Sequence, residues 1–431
     1  MHSSHFYILK KIFVLNKLLK IVLCITVISS FVTLTLNIDA KNFIIARMTF
    51  SDIFGLISLS LLGILLIKDT TQIAVVIKSL KYPLWLVFGL ACSIFLSLNA
   101  KSTLVEVLIV LYLVLLSASI IYAFKNSLIS MLFPLIIYTT FITSFIGLYD
   151  LVARNVNLPV IFNMASKEVG ISGFRYFGQA ANYIFTMLTI LIPLRYSNYY
   201  KILEKWPRKF LSITILLGVI FLCTTGRISI IISFVIGIVL FILLNPNKKG
   251  VTLAITSLGL LGIFWVVITL YMPRLKQRIK YRVESRVTNR VQGTSESDFV
   301  IDNFKGAINA FSENPITGSG LGAFVNNYSK FEVHGTYLKV LGETGIIGTI
   351  SYFVFLLYFS GLLLKGIVNN KKTLNNFFKC LFPFMVANLI SWSYNHHLRK
   401  KEFWILYAVI YIVYINTKTK NTLNLNETKT H

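Results

Sequence analysis

The residues able to do chemistry crowd into one stretch of this chain, from Met272 to Gly348. It opens with arginine at every fourth position, Arg274, Arg278, Arg282, Arg286 and Arg290, each followed by an apolar residue. A step of four residues turns a helix by about 400°, so the guanidiniums would form a slowly drifting stripe beside an apolar one. Guanidinium is a planar fork that grips phosphate oxygens in two places. Such a stripe suits a polyanion such as a diphosphate. It equally suits a helix lying in the membrane surface, its apolar side in lipid and its arginines on headgroup phosphates. Spacing alone leaves both readings open.

The stretch closes with VHGTYLKVLGETGIIG, residues 333–348. His334 is its sole histidine, and imidazole is the side chain best suited to take a proton near neutral pH. A lone histidine can also be a mere packing or surface residue. Its place, just before the chain turns apolar again, argues for the catalytic role. Glu343 follows near the start of the apolar run, where a carboxylate is costly unless paired or wet. Between the two ends, periodic apolar residues predict a helix over about 297–311, with Val300, Phe304, Ala307, Ile308 and Phe311 as its stripe. Asn314-Pro315 and the glycines Gly318, Gly320 and Gly322 then mark a turn-rich segment. Its glycines would bring backbone N–H groups near a ligand, or would simply form a loop. Gly345 and Gly348 would let neighbouring helices approach closely. Two more arginines stand apart: Arg227 in Thr224-Thr225-Gly226-Arg227, and Arg175 in GFRYFGQAANYIF, residues 173–185. An arginine at the end of an apolar run can also snorkel to the interface and do nothing else.

The elements that must position these residues are membrane helices. The chain has 431 residues, 55% of them hydrophobic, and a mean hydropathy of +0.73. Soluble domains are nearer 45–50% apolar. About twelve runs are long enough to cross the bilayer, and in lipid such runs become helices because the backbone must satisfy its own hydrogen bonds. They fall near 18–36, 50–67, 83–99, 103–124, 128–150, 179–195, 210–225, 228–244, 251–271, 345–364, 376–394 and 402–416. The expectation is therefore an all-α, polytopic bundle forming a single membrane domain over 1–431. A large loop with short helices, 272–344, separates spans nine and ten. Lys10, Lys11, Lys17 and Lys20 precede the first run, which lacks an A-x-A cleavage signal and reads as a retained helix.

The net charge of +26 does not point to nucleic acid, because most Lys and Arg flank apolar runs, where they anchor spans. Placing both termini in the cytoplasm gives the inner loops the excess of Lys and Arg, as the positive-inside rule asks. The 272–344 loop is then external. So are the 151–178 loop with Arg175, the turn with Arg227, and His396-His397-x-Arg399. Cys24, Cys92, Cys223 and Cys380 lie within or beside apolar runs and read as buried residues, not as disulfides or metal ligands. There is no Walker motif, no HExxH and no external D-x-D pair, so arginine rather than metal would have to neutralise phosphate.

These pieces resemble the O-antigen ligase and polymerase superfamily of bacterial inner-membrane proteins. The resemblance is carried, in order, by GFRYFGQAANY (173–183), TTGRISIII (224–232), ENPITGSGLGAF (313–324) and VHGTYLKVLGETGIIG (333–348), followed by a late span. It implies a GT-C-like membrane glycosyltransferase without metal or other cofactor. Its donor would be an undecaprenyl-diphosphate-linked glycan. The acceptor would be lipid A–core for a ligase, or a lipid-linked glycan for a polymerase. By the same resemblance, Arg227 and arginines of the 282–290 stretch (Arg282, Arg286, Arg290), with Arg175, would bind the diphosphate. His334 would activate or orient the acceptor, supported by Glu343, Gly318 and Gly320. The chain departs from the family where Gly335 follows the histidine, in place of the usual Asn or Ser, and where Gly226 precedes the arginine. A secondary transporter is the competing class for so many spans; such transporters show internal repeats and midmembrane breaks or charges, whereas here no repeat is clear and the polar weight lies in one outer loop.

Overall fold

The computed structural model describes residues 2–30, 49–68, 73–155, 158–159, 177–225, 227–245, 295–325, 327–329, 332–369 and 372–427, with isolated positions between 251 and 277. The helices are α1 (His2–Ser29), α2 (Phe50–Lys68), α3 (Ile73–Ala91), α4 (Ala100–Phe124), α5 (Phe133–Asn155), α6 (Phe177–Tyr196) and the short α7 (Tyr199–Ile202). They continue with α8 (Lys205–Thr224), α9 (Ile228–Leu244), α10 (Ser295–Glu313), α11 (Thr336–Ile367), α12 (Lys372–Ser391) and α13 (Lys401–Glu427). No strand is found among the described residues beyond an isolated bridge between Val325 and Ser329. The protein is a multi-pass helical membrane protein. Among the described residues seven helical segments are long and apolar enough to span, and a shorter apolar one covers Ser229–Leu244.

Three further runs, those of α6, α12 and α13, also form helices, and α6 and α13 run inside the bundle. Every residue from 180 to 194 and from 402 to 413 is buried. A helix that is apolar all round belongs in such a position. Phe355 of α11 meets Phe403, Trp404 and Tyr407 of α13 at ring separations of 6.1, 5.8 and 5.9 Å. The run expected at 251–271 and the arginine repeat lie largely outside the described residues. The third span begins at Ile73, not 83. Lys78 and Lys81 face outward while Val76, Ser79, Leu80 and Pro83 pack inward. Charge interrupts the hydropathy there without interrupting the helix.

The contacts between loops show which of them share an end. At one end Leu98 N–H donates to Ser319 O (3.0 Å) and Leu321 N–H to Ser93 Oγ (3.3 Å). There too, Thr336 N–H donates to Trp392 O (2.8 Å) and Lys401 pairs with Asp52 (2.7 Å). At the other end Asn416 Nδ2 donates to Lys125 O (2.8 Å) and Tyr199 packs on Phe377.

Helix α10 runs where the periodicity predicts, but its inward face differs from the predicted stripe. Ala307 and Ala310 are buried, whereas Phe304 is 52% and Ile308 36% exposed. The reason is close packing: a Cβ on Gly342 of α11 would meet Ala307 O at 2.8 Å, so only small residues fit between α10 and α11. The large apolar residues stay on the outside, as on a helix lying in a bilayer surface.

Helix α11 also starts earlier than the expected span, at Thr336 instead of 345. Gly345 is non-helical (φ 60°, ψ −158°) and divides it into two parts. The 314–320 turn is spliced into this break. Ile346 and Ile347 N–H donate to Pro315 O (2.8 Å) and Ile316 O (3.2 Å). Ser319 and Gly320 N–H donate to Gly342 O (3.2 Å) and Glu343 O (2.9 Å). Backbone groups released by the break are thus paired again, which a broken helix at membrane depth requires.

Candidate functional site

His334 is exposed and lies two residues before α11. Its Nδ1 is 2.9 Å from Glu332 O. A carbonyl can only accept, so this contact assigns the proton to Nδ1 and the basic lone pair to Nε2. The chain after His334 is clamped to the loop between α12 and α13. Thr336 Oγ1 donates to Asn395 O (2.7 Å) and accepts from His397 N–H (3.1 Å). A Cβ on Gly335 would sit 2.5 Å from Ser393 O. Glycine is therefore demanded here by a close backbone crossing.

Arg227, the N-cap residue of α9, is half-buried, and its Nη1 donates to Asn395 Oδ1 (3.4 Å). Asn395 thus touches Arg227 through its side chain and Thr336 through its carbonyl. Two residues far apart in the chain, Arg227 and His334, are brought to one loop. Arg175, Arg282, Arg286 and Arg290 lie outside the described residues.

Glu343 is 1% exposed and faces Lys339, also 1% exposed, at 3.3 Å. Its Oε2 accepts Gly322 N–H at 2.6 Å. Gly318, Gly320 and Gly322 have φ of 70°, 100° and 79°, the left-handed region that favours glycine. Their N–H groups are taken up inside the protein: Gly318 by Asn314 O, Gly320 by Glu343 O, Gly322 by the Glu343 carboxylate. This turn is therefore a brace for α11, with two of its three glycine donors on Glu343.

Several charged residues gain meaning only in three dimensions. Arg399 Nη1 is 2.8 Å from Glu106 Oε1 and 3.4 Å from Glu332 Oε1. Glu106 stands near the start of α4, whose N-cap Asn99 accepts Ser102 N–H (3.1 Å). In the sequence Glu106 and Arg399 look like unrelated charges at span ends. Lys339 could have been found from the sequence, because it stands one helical turn before Glu343 on the same face. Burial alone would raise the Glu332 carboxyl. Lys339, then Arg399, then His334 outweigh it and hold that carboxyl below its ordinary value. In the α12–α13 loop, His396 and His397 are driven well below the ordinary imidazole value, first by burial. Lys339, Arg399 and Lys400 add to this at His396, and Lys400 at His397. Both ring nitrogens of His396 are enclosed without a hydrogen-bond partner. Among the described residues no three His, Cys, Asp or Glu side chains converge at metal-ligand spacing.

A helical membrane bundle, then, gathers an exposed histidine, an arginine and a buried ionic cluster at one end. Residues 213–353 match the family model described as O-antigen ligase. Over these residues, less than half of its length, the chain is similar to the O-antigen ligase and polymerase superfamily, a family of membrane glycosyltransferase-type enzymes. The match spans α8 to the middle of α11 and includes Arg227, the glycine turn, His334, Lys339 and Glu343, but neither Glu106 nor Arg399. No curated protein matches the chain.

Proposed function

We propose that this protein is an O-antigen-ligase-like transferase of the bacterial inner membrane, with both termini cytoplasmic and its site on the periplasmic face. It moves a glycan from an undecaprenyl-diphosphate carrier to a hydroxyl of lipid A–core. The observation that carries this is the double contact of Asn395, which sets Arg227 beside the backbone bearing His334.

Arg227 holds the donor diphosphate, joined by the arginines of the 282–290 stretch and Arg175. The positive end of the α11 dipole favours the same anion. His334 Nε2 takes the proton of the acceptor hydroxyl as its oxygen bonds to the anomeric carbon. The anomeric C–O bond to phosphate breaks, and the carrier leaves as its diphosphate, its charge held by guanidinium. A positioned base contributes roughly 10²–10⁴-fold. The Lys339–Glu343 pair and the glycine brace keep the start of α11 rigid beneath the histidine.

The test is transfer by purified protein from a synthetic undecaprenyl-diphosphate glycan, with and without chelator. His334→Ala is expected to lose about 10²–10⁴-fold in turnover while still binding donor. Arg227→Ala should lose donor binding, and Arg227→Lys should recover it only partly because the fork is gone. Wild-type turnover in either alanine variant, or dependence on a divalent cation, argues against this mechanism. Transfer only to a lipid-linked glycan would make the protein a polymerase. In cells, deletion separates the two, since loss of all attached repeats marks a ligase and single-repeat caps mark a polymerase.

A further inference from the structure

The segment that carries His334 has no regular structure of its own between residues 332 and 335. It is fixed on its C-terminal side by Thr336 and Gly335 against the α12–α13 loop. On the N-terminal side the imidazole leans on Glu332 O, and the Glu332 side chain is 54% exposed. An exposed residue holds its place only if something grips it. That grip is Arg399, which reaches Glu332 at 3.4 Å while standing on Glu106 at 2.8 Å. Glu106 is 13% exposed and belongs to α4, so the anchor is part of the bundle.

We propose that Arg399 is a positioning residue of the transfer site, holding the His334 segment through Glu332 from an anchor on Glu106. This rests on the reading of His334 as the base. Arg399 is a poor diphosphate receptor, because its charge already meets two carboxylates. The same end of the bundle offers a built-in control. Lys401 ties α13 to α2 through Asp52 (2.7 Å), Thr49 and Ser51. That clip joins the same loop to the bundle through Thr49, Ser51 and Asp52, at the α2 side of the loop.

The experiment compares Arg399→Gln, Arg399→Lys, Glu332→Ala, the Arg399→Gln/Glu332→Ala double variant and Lys401→Gln, each purified. Turnover per folded molecule, affinity for an undecaprenyl-diphosphate glycan and unfolding midpoint are measured. A misplacement near 1 Å can cost about 10²-fold in rate. Arg399→Gln and Glu332→Ala should each lose on the order of 10²-fold in turnover, with donor affinity within about twofold. The double variant should be no worse than Arg399→Gln, since both act through one contact. Arg399→Lys should regain part of the rate. Lys401→Gln should lower the midpoint and leave turnover per folded molecule unchanged. If Arg399→Gln does not fold, Glu332→Ala alone decides. Wild-type turnover in Glu332→Ala, multiplying losses in the double variant, or losses that only follow donor affinity would overturn the proposal. Should those variants be normal while His334→Ala is inactive, the clamp alone is wrong. Should His334→Ala be normal, the site reading fails and the clamp with it.

Discussion

Two glycines of one helix, changed in the same way, should move stability in opposite directions. In Gly345→Ala the backbone sits at φ 60°, ψ −158°. A residue other than glycine costs of order 1–3 kcal/mol in so sparsely populated a region. The new Cβ would also lie 2.5 Å from Ile316 O and 2.6 Å from Gly318 N. Those are backbone atoms, which no rotamer change can move aside. Relief requires the spliced turn to back away, breaking the Ile346–Pro315 and Ile347–Ile316 hydrogen bonds, each worth about 1 kcal/mol net. The sum is a loss of about 3–5 kcal/mol. Gly361 lies in the lower part of the same helix, and an added methyl group there would have nothing within 4 Å. Alanine at that position relieves the entropic cost of glycine, a gain of about 0.5–1 kcal/mol. The assay is reversible unfolding in mixed micelles of rising SDS fraction, read by circular dichroism. If Gly345→Ala lies within about 1 kcal/mol of wild type, or Gly361→Ala loses as much as Gly345→Ala, the splice does not hold α11 as described.

Three other outcomes are expected. Lys339→Met should cost about 3–5 kcal/mol by leaving the Glu343 carboxylate buried without its cation, and adding Glu343→Gln should restore much of it; the same micelle unfolding measures both. Acidification should destabilise the protein through His396 and His397. Their folded-state values are depressed, so below the ordinary imidazole pKa of about 6.5 the unfolded chain binds protons that the native one refuses. Stability is full above that value and falls by up to about 1.4 kcal/mol per pH unit for each histidine below it, a slope that His396→Gln/His397→Gln should flatten. Finally, Asp302→Cys on exposed α10, in a background lacking the native cysteines, should react with an impermeant thiol reagent in intact spheroplasts. Labelling only after lysis would reverse the orientation. Ser319 is the wrong place for such a probe, since it is completely enclosed.

Much of this protein is legible in the residues themselves because hydrophobicity acts locally. A run of apolar residues long enough to cross the bilayer must become a helix whatever its neighbours do, so the helical membrane class followed from hydropathy. The short motifs around Arg227, the glycine turn and His334 were legible for a related reason, since each is contiguous in the chain. What the sequence could not decide is pairing across the bundle. Nothing at Glu106 announces Arg399, and nothing at Arg227 announces Asn395, because both partners lie on other helices or the loops between them. The glycines near 320 read either as a ligand cradle or as a plain loop, until the fold turned two of their N–H groups onto Glu343 and the third onto Asn314. The periodic apolar residues of α10 told that a helix forms but not which of them turns inward; close packing on Gly342 decided that it is Ala307. In each case hydropathy and local spacing decide which element forms, while close packing and the pairing of buried charge, both long-range, decide which face it turns inward and what its polar groups meet.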